Sequence, residues 1–131
     1  MSTVPPAIAS AYDPERFRSD GHRLIDALAD SLAAQHRREG RVLPWAEPAE
    51  ARDAWAREPL FGGELVADLS RVVAASTALH DPRYLAHQVA PPLPGAALAE
   101  LVSALLNNGT GVYEMGPASV PIELAVLRWL C

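Results

Sequence analysis

Proline decides where this chain can be regular. Twelve prolines are spread through 131 residues. Each lacks an amide donor and collides with the preceding turn inside a helix, so a helix can open at proline but not continue through it. The sequence is thereby cut into helical segments separated by irregular connectors. Residues 1–12 carry Pro5 and Pro6 among small residues without periodicity and read as a loose, flexible arm. Asp13-Pro14-Glu15 then opens a first helix: the aspartate caps exposed amides, proline suits the first helical position, and the acid favours the positive helix end. Phe17, Leu24, Ile25, Leu28 and Leu32 follow at helical spacing on one face, with Gly21 weakening the helix without breaking it. Arg37, Arg38 and Gly40 supply a cationic last turn and a left-handed cap.

From Arg41 to Gly63, the prolines Pro44, Pro48 and Pro59 leave room only for a short helix around Ala49 to Arg57. Helical spacing resumes over Glu64 to Ala75 through Leu65, Leu69, Val72 and Val73, and stops before the polar turn His80-Asp81-Pro82. Another helix follows Pro94-Gly95, with Leu98, Leu101, Val102, Leu105 and Leu106 expected inward. Asn107-Asn108-Gly109 closes it, because Asn and Gly tolerate positive φ. Val112 to Met115 reads as short extended or irregular chain, and Pro117 to Pro121 leads into a last helix carrying Ile122, Val126, Trp129 and Leu130. The expected fold class is mainly α.

Half of the residues are hydrophobic, yet many are alanines, and the aromatics are three Trp, three Tyr and two Phe. The expected core is therefore marginal. Narrow apolar stripes joined by a long connector suit a segment that wraps a second surface, such as another subunit, better than a free bundle. The last helix is still running at Cys131, and an apolar Trp-Leu-Cys face needs something to bury it. The expectation is a truncated domain.

The formal net charge is −5 and the arginines are scattered singly. The phosphate attraction that drives nucleic-acid binding is then missing, and no nucleic-acid partner is expected. No stretch reaches the roughly eighteen apolar residues of a membrane span. The start MSTVPPAIASAYDPERF lacks the basic opening and apolar run of a secretory signal. A single cysteine, Cys131, makes no internal disulfide, and the histidines show no compact metal-ligand spacing. A cytoplasmic protein with neither metal site nor membrane contact is expected.

The residues from His80 to Trp129 carry the chemistry-bearing pattern. His80-Asp81-Pro82-Arg83-Tyr84 is a His-x-Pro-x-aromatic element, and a proline-rich loop follows it. Then come a helix of the form Leu-Ala-Glu-Leu-Val-x-Ala-Leu-Leu-Asn-Asn, Tyr113-Glu114, Pro117, Glu123 and Trp129-Leu130. In order and spacing this resembles the group II pyridoxal-phosphate-dependent amino acid decarboxylases, which include aromatic amino acid, histidine, glutamate and 2,4-diaminobutyrate decarboxylases. The helix from Pro14 to Arg38 resembles the leading helix of the same family. The resemblance takes in most of this chain and the front part of a family member.

That resemblance implies an N-terminal helical segment, residues 13–78, that swaps against the other subunit of a homodimer. Residues 79–131 become a substrate-side loop and the first helix of a fold-type I, aspartate-aminotransferase-like α/β large domain. The implied cofactor is pyridoxal 5'-phosphate, the implied activity that of a carboxy-lyase on an amino acid, and the implied active site lies at the subunit interface. In the family the phosphate cradle, the ring-stacking histidine, the aspartate on the ring nitrogen and the Schiff-base lysine all lie further on. No catalytic, cofactor-binding or metal-binding residue is therefore expected in this chain. All eleven Lys+Arg residues are arginines, and no arginine replaces the amine that holds this cofactor, so the chain alone is expected to be inactive.

The resemblance also implies that the residues just past the His-x-Pro-x-aromatic element line the substrate pocket. Here they are His87, Gln88 and Val89, with Ala90 adjacent. An imidazole donates when protonated and accepts when neutral, and a glutamine does both, so these side chains suit a polar substrate group. Aromatic amino acid and histidine decarboxylases commonly place tyrosine where His87 stands, and glutamate decarboxylases glutamine. The run His-Gln-Val-Ala-Pro-Pro looks more like bacterial decarboxylases of diaminobutyrate-type amino acids. Without the family, His80 reads as a turn or capping residue, and the chain reads as a stand-alone helical module that binds a partner through its apolar stripes.

Overall fold

The computed structural model describes residues 4–56, 64–85 and 87–131. Among them every regular element is helical: α1 (Pro6–Ala11), α2 (Pro14–His36), α3 (Pro48–Ala56), α4 (Leu65–Ala75), α5 (Pro94–Leu106), a 3-10 turn (Tyr113–Met115) and α6 (Ser119–Leu130). No helix among the described residues is long and apolar enough to cross a membrane. Met1–Ala90 and Pro91–Cys131 form two separate units.

The segment expected to be an irregular arm carries the short helix α1, opened by proline and tied to α2 where Arg16 Nη1 donates to Ser10 Oγ at 2.9 Å. α2 begins where its capping residues place it. The Asp13 carboxylate accepts from the Glu15 amide at 3.0 Å, and Pro14 occupies the first turn. Its end differs from expectation. Arg38, with φ 62, takes the left-handed position directly after the helix, and Gly40, with φ 76, makes a second left-handed step. The Arg38 amide donates to the Gln35 carbonyl and the Glu39 amide to the Ala34 carbonyl, both at 2.9 Å. This paired closure satisfies the last carbonyls of a helix and fixes the left-handed residue by counting from the helix end, wherever the nearest glycine lies.

α2 packs on α4, and here the apolar stripe read from the sequence is rotated. Phe17, Ile25 and Leu28 stay exposed, while Gly21, Leu24, Ala27, Ser31 and Leu32 are half-buried. The covered side of α2 is thus mostly small residues. On α4 the buried apolar residue is Val66, with Leu69 and Val73 half-buried at i+3 and i+7, whereas Leu65 and Val72 are exposed. Glu64 joins the two helices. One carboxylate oxygen accepts from the Ala67 amide at 3.1 Å, capping α4, and the other accepts from Arg23 on α2. That guanidinium holds the Glu64 carboxyl below its ordinary range. At its other end α4 closes where Ser76 Oγ donates to the Val72 carbonyl at 2.7 Å.

α3 is described over Pro48–Ala56; the rest of the expected helix and connector, Arg57 to Gly63, lies outside the described residues. In the second unit α5 opens at Pro94 and ends on Asn107, which is left-handed with φ 47. The leucines expected inward on α5 are exposed, Leu98 at 53% and Leu105 at 63%. The reason is that this unit contains only α5, the 3-10 turn and α6, too few layers to cover them. The stretch expected as short extended or irregular chain, Val112 to Met115, holds the 3-10 turn. Next to it Gly116 is buried, and a Cβ there would sit 2.4 Å from the Gly109 carbonyl oxygen.

The two glycines predict opposite responses. Gly21 lies within α2 with no atom within 4 Å of a built Cβ, so Gly21→Ala is expected to stabilise the protein by about 0.5–1 kcal/mol through the reduced freedom of the unfolded chain. Gly116→Ala forces a methyl onto a backbone carbonyl and is expected to destabilise by about 1–3 kcal/mol. Urea titration of both variants reads the two signs. Equal signs would contradict the placement of one or the other glycine.

Candidate functional site

The His-x-Pro-x-aromatic element folds as a tight turn. The Leu79 amide donates to the Thr77 carbonyl at 3.1 Å, the Asp81 amide to Ala78 at 3.2 Å and the Tyr84 amide to Asp81 at 2.8 Å. Three further bonds fasten the turn to the end of α2 and the residues beyond it. The Ala78 amide donates to the Val42 carbonyl at 2.8 Å, the His80 amide to Gln35 Oε1 at 3.1 Å, and Arg83 Nη2 to the Gly40 carbonyl at 3.2 Å. The His80 ring meets the His36 ring edge to face, centroids 6.3 Å apart. His80 is a turn residue here, as its residue-level reading expects.

At the centre of the turn is Asp81, whose side chain is fully shielded from solvent. Its carboxylate accepts from Arg83 Nε at 2.9 Å, from Arg83 Nη2 at 2.6 Å and from the Arg83 amide at 2.8 Å. A planar guanidinium matches a carboxylate in this way, and the bonds are charge-assisted. The Arg83 fork holds the Asp81 carboxyl down at about 2, with smaller contributions from the Arg83 amide and from the charge of Arg38. Sequence reading singled out the flanking histidine and tyrosine and passed over this carboxylate. The available signal was Asp-Pro-Arg itself, a carboxylate and a guanidinium two residues apart across a rigid proline.

Past this anchor the chain runs into an exposed loop. Leu85 is 95% exposed, and His87, Gln88 and Val89 stand together on the loop, all exposed. His87 has φ 56, a left-handed conformation that non-glycine residues seldom adopt, histidine more readily than most. The structure thus places the three predicted substrate-contact residues side by side, immediately after a braced turn. Tyr113 and Glu114 belong to the 3-10 turn of the second unit and Glu123 to α6.

A second feature of the first unit was not foreseen from sequence. An open groove of about 560 Å³ runs past Leu43, Pro44, Trp45, Ala51, Trp55 and Ala75. The Arg71 guanidinium lies over the Trp55 ring at 5.1 Å from its centroid, an arrangement that holds an arginine against an aromatic face. The walls are apolar and aromatic with one cation at the edge.

The Asp81 anchor has a definite pH signature. Its folded carboxyl sits near 2 against an ordinary 3.8. The anchor's contribution to stability is therefore fully present above about pH 4 and is lost as pH falls through 2. Thermal melts over that interval are expected to show a falling melting temperature in the wild type. Asp81→Asn should be less stable at neutral pH and flatter on the acid side; parallel acid limbs would contradict the assignment.

Among characterised proteins the chain is similar to the aromatic-L-amino-acid decarboxylase of Catharanthus roseus, 26% identical over 137 residues covering 99% of this chain and 27% of that protein. It is similar to a tyrosine decarboxylase of Oryza sativa subsp. japonica, 30% identical over 129 residues covering 93% of this chain and 24% of the other. It is also similar to tyrosine decarboxylase 1 of Narcissus pseudonarcissus, 28% identical over 123 residues covering 90% and 24%. The chain spans about a quarter of the length of these relatives. No family model matches the sequence, and no solved structure matches it. The names of the relatives carry aromatic substrates, whereas the His87-Gln88-Val89 loop pointed toward diaminobutyrate-type ones. Along nearly its whole length, then, the chain is similar to a quarter-length stretch of aromatic amino acid decarboxylases.

Proposed function

We propose that this chain is the N-terminal part of a pyridoxal-phosphate-dependent amino acid decarboxylase. Residues 13–78 pack against the partner subunit of a homodimer. Residues 79–131 supply one wall of the substrate pocket and the first helix of the large domain. The observation that carries the reading is similarity over 99% of this chain to an aromatic-L-amino-acid decarboxylase, of which it spans 27%. The exposed apolar faces support it, since Phe17, Leu98 and Trp129 at 50%, 53% and 82% exposure present surface that a larger assembly covers.

When bound, pyridoxal phosphate supplies the electron sink for loss of the substrate's α-carboxylate. The present residues do not include the amine that holds it: the eleven Lys+Arg residues are all arginines. The contribution of this chain is to substrate recognition. His87 and Gln88 offer a donor and an acceptor to a polar group on the substrate side chain, and Val89 offers an apolar contact. The Asp81–Arg83 anchor fixes where that loop begins, so that little ordering is left to substrate binding. The aromatic names of the relatives make L-tyrosine and related aromatic amino acids the first substrates to test, with 2,4-diaminobutyrate as the competitor.

Protein expressed with its downstream sequence is expected to release carbon dioxide from an aromatic amino acid when supplied with pyridoxal phosphate, and the 131-residue chain alone to release none. No release from any amino acid in a broad panel would overturn the assignment. In the active protein His87→Ala is expected to raise KM roughly tenfold with little change in kcat, the effect of losing one hydrogen bond to bound substrate. An unchanged KM in both His87→Ala and Gln88→Ala would remove these residues from the pocket.

A further inference from the structure

The turn after α5 holds the two asparagines of this chain, Asn107 and Asn108, followed by Gly109. Their chemical settings differ. Asn107 is the left-handed cap of α5, its amide donating to the Ser103 carbonyl at 2.9 Å, and the residue after it carries a side chain. Asn108 lies beyond the helix, is exposed, and is followed by glycine. Among the described residues no group accepts a hydrogen bond from the Gly109 amide. Nor is that residue crowded: a Cβ built on Gly109 would meet only Met115 Cε, at 3.7 Å. The Gly109 nitrogen is thus without an acceptor among the described residues, in a half-buried residue directly after an exposed carboxamide.

We propose that Asn108-Gly109 is a site of spontaneous intramolecular modification. The Gly109 nitrogen gives up its proton to solvent base and attacks Asn108 Cγ. The N–Cγ bond forms, the Cγ–Nδ2 bond breaks, and ammonia leaves after taking a proton from solvent. The product is a five-membered succinimide. Water then opens that ring at one of its two carbonyls. Cleavage of the N–Cγ bond leaves aspartate on the normal backbone; cleavage of the original peptide bond leaves isoaspartate, with the backbone routed through Cβ. Water is the one co-reactant and nothing is oxidised or reduced.

The structure assigns a local consequence to this chemistry. The Gly109 carbonyl lies so close to Gly116 that a single added carbon at Gly116 would stand 2.4 Å from its oxygen. Isoaspartate places an extra backbone methylene immediately before Gly109, the residue whose carbonyl packs against Gly116. Either product also puts a carboxylate at the carbonyl end of α5, where the helix dipole opposes negative charge. The turn from Gly109 to Gly116 loosens as the molecule ages.

The test is to incubate the purified protein in mildly alkaline buffer, digest it with trypsin and fragment the peptide from Tyr84 to Arg128, which carries both asparagines. The expected result is amide-to-acid conversion at Asn108 with isoaspartate exceeding aspartate, no change at Asn107, and faster conversion as pH rises. Gly109→Ala should slow the reaction on the order of tenfold by hindering the approach of the nitrogen, and Asn108→Gln should abolish it. Retention of the amide at Asn108 in aged wild-type protein overturns the proposal, as does equal reaction at Asn107 or an unchanged rate in Gly109→Ala.

Discussion

The Asp81 carboxylate in the fork of Arg83 is the constraint on which the first unit depends. A carboxylate withdrawn from solvent is costly unless its oxygens are fully bonded. Here two guanidinium donors and one backbone amide meet it. The Arg83 Nη2 that bonds Asp81 also donates to the Gly40 carbonyl, so the turn docks where α2 ends. The left-handed steps at Arg38 and Gly40 bring that carbonyl within reach. α4 is consequently held at both ends, by Glu64 and Arg23 at its start and by the 77–84 turn after its close. The loop bearing His87, Gln88 and Val89 leaves from this fixed point.

Polar clasps of this kind stand in for a core. The buried apolar residue among those described is Val66, at 6% exposure, while large side chains such as Phe17, Trp45 and Trp129 are exposed. Surface salt bridges contribute little each, so such a unit has a precise shape with small apolar stabilisation. Apolar residues stay exposed on α2 in the first unit and, separately, on α5 and α6 in the second, as in segments that complete their core against other protein. Within the proposed decarboxylase those faces are the surface on which the rest of the enzyme and its partner subunit close.

Where the helices begin was legible because capping is local chemistry: Asp13-Pro14 and Pro94 each announce a start that the structure keeps. Which face they bury was not, because that depends on the neighbour. Of the expected stripe on α2, Phe17, Ile25 and Leu28 stay exposed, while Leu24 and Leu32 are half-buried together with the small residues Gly21, Ala27 and Ser31. Glycine drew the left-handed cap of α2 toward Gly40, while the hydrogen bonds closing the helix put it first on Arg38. Asp81 escaped notice for a related reason. The turn it centres is docked through Arg83 to Gly40 and through Ala78 to Val42, about forty residues earlier, and no periodicity encodes that meeting. His87, Gln88 and Val89 came from family resemblance, and their exposure agrees with a proline-rich loop; nothing in their spacing alone assigns them a substrate.

Hydrogen exchange along α5 and α6 bears most directly on the claim that this chain is part of a larger decarboxylase. It should be followed in the 131-residue chain and again in the protein that carries its downstream sequence. If the exposed leucines of α5 and the Trp129 face of α6 belong against the rest of that enzyme, their amides exchange rapidly in the chain alone and are slowed by orders of magnitude in the longer protein. Equal exchange in the two would mean that nothing in a decarboxylase covers these faces, and would contradict the account.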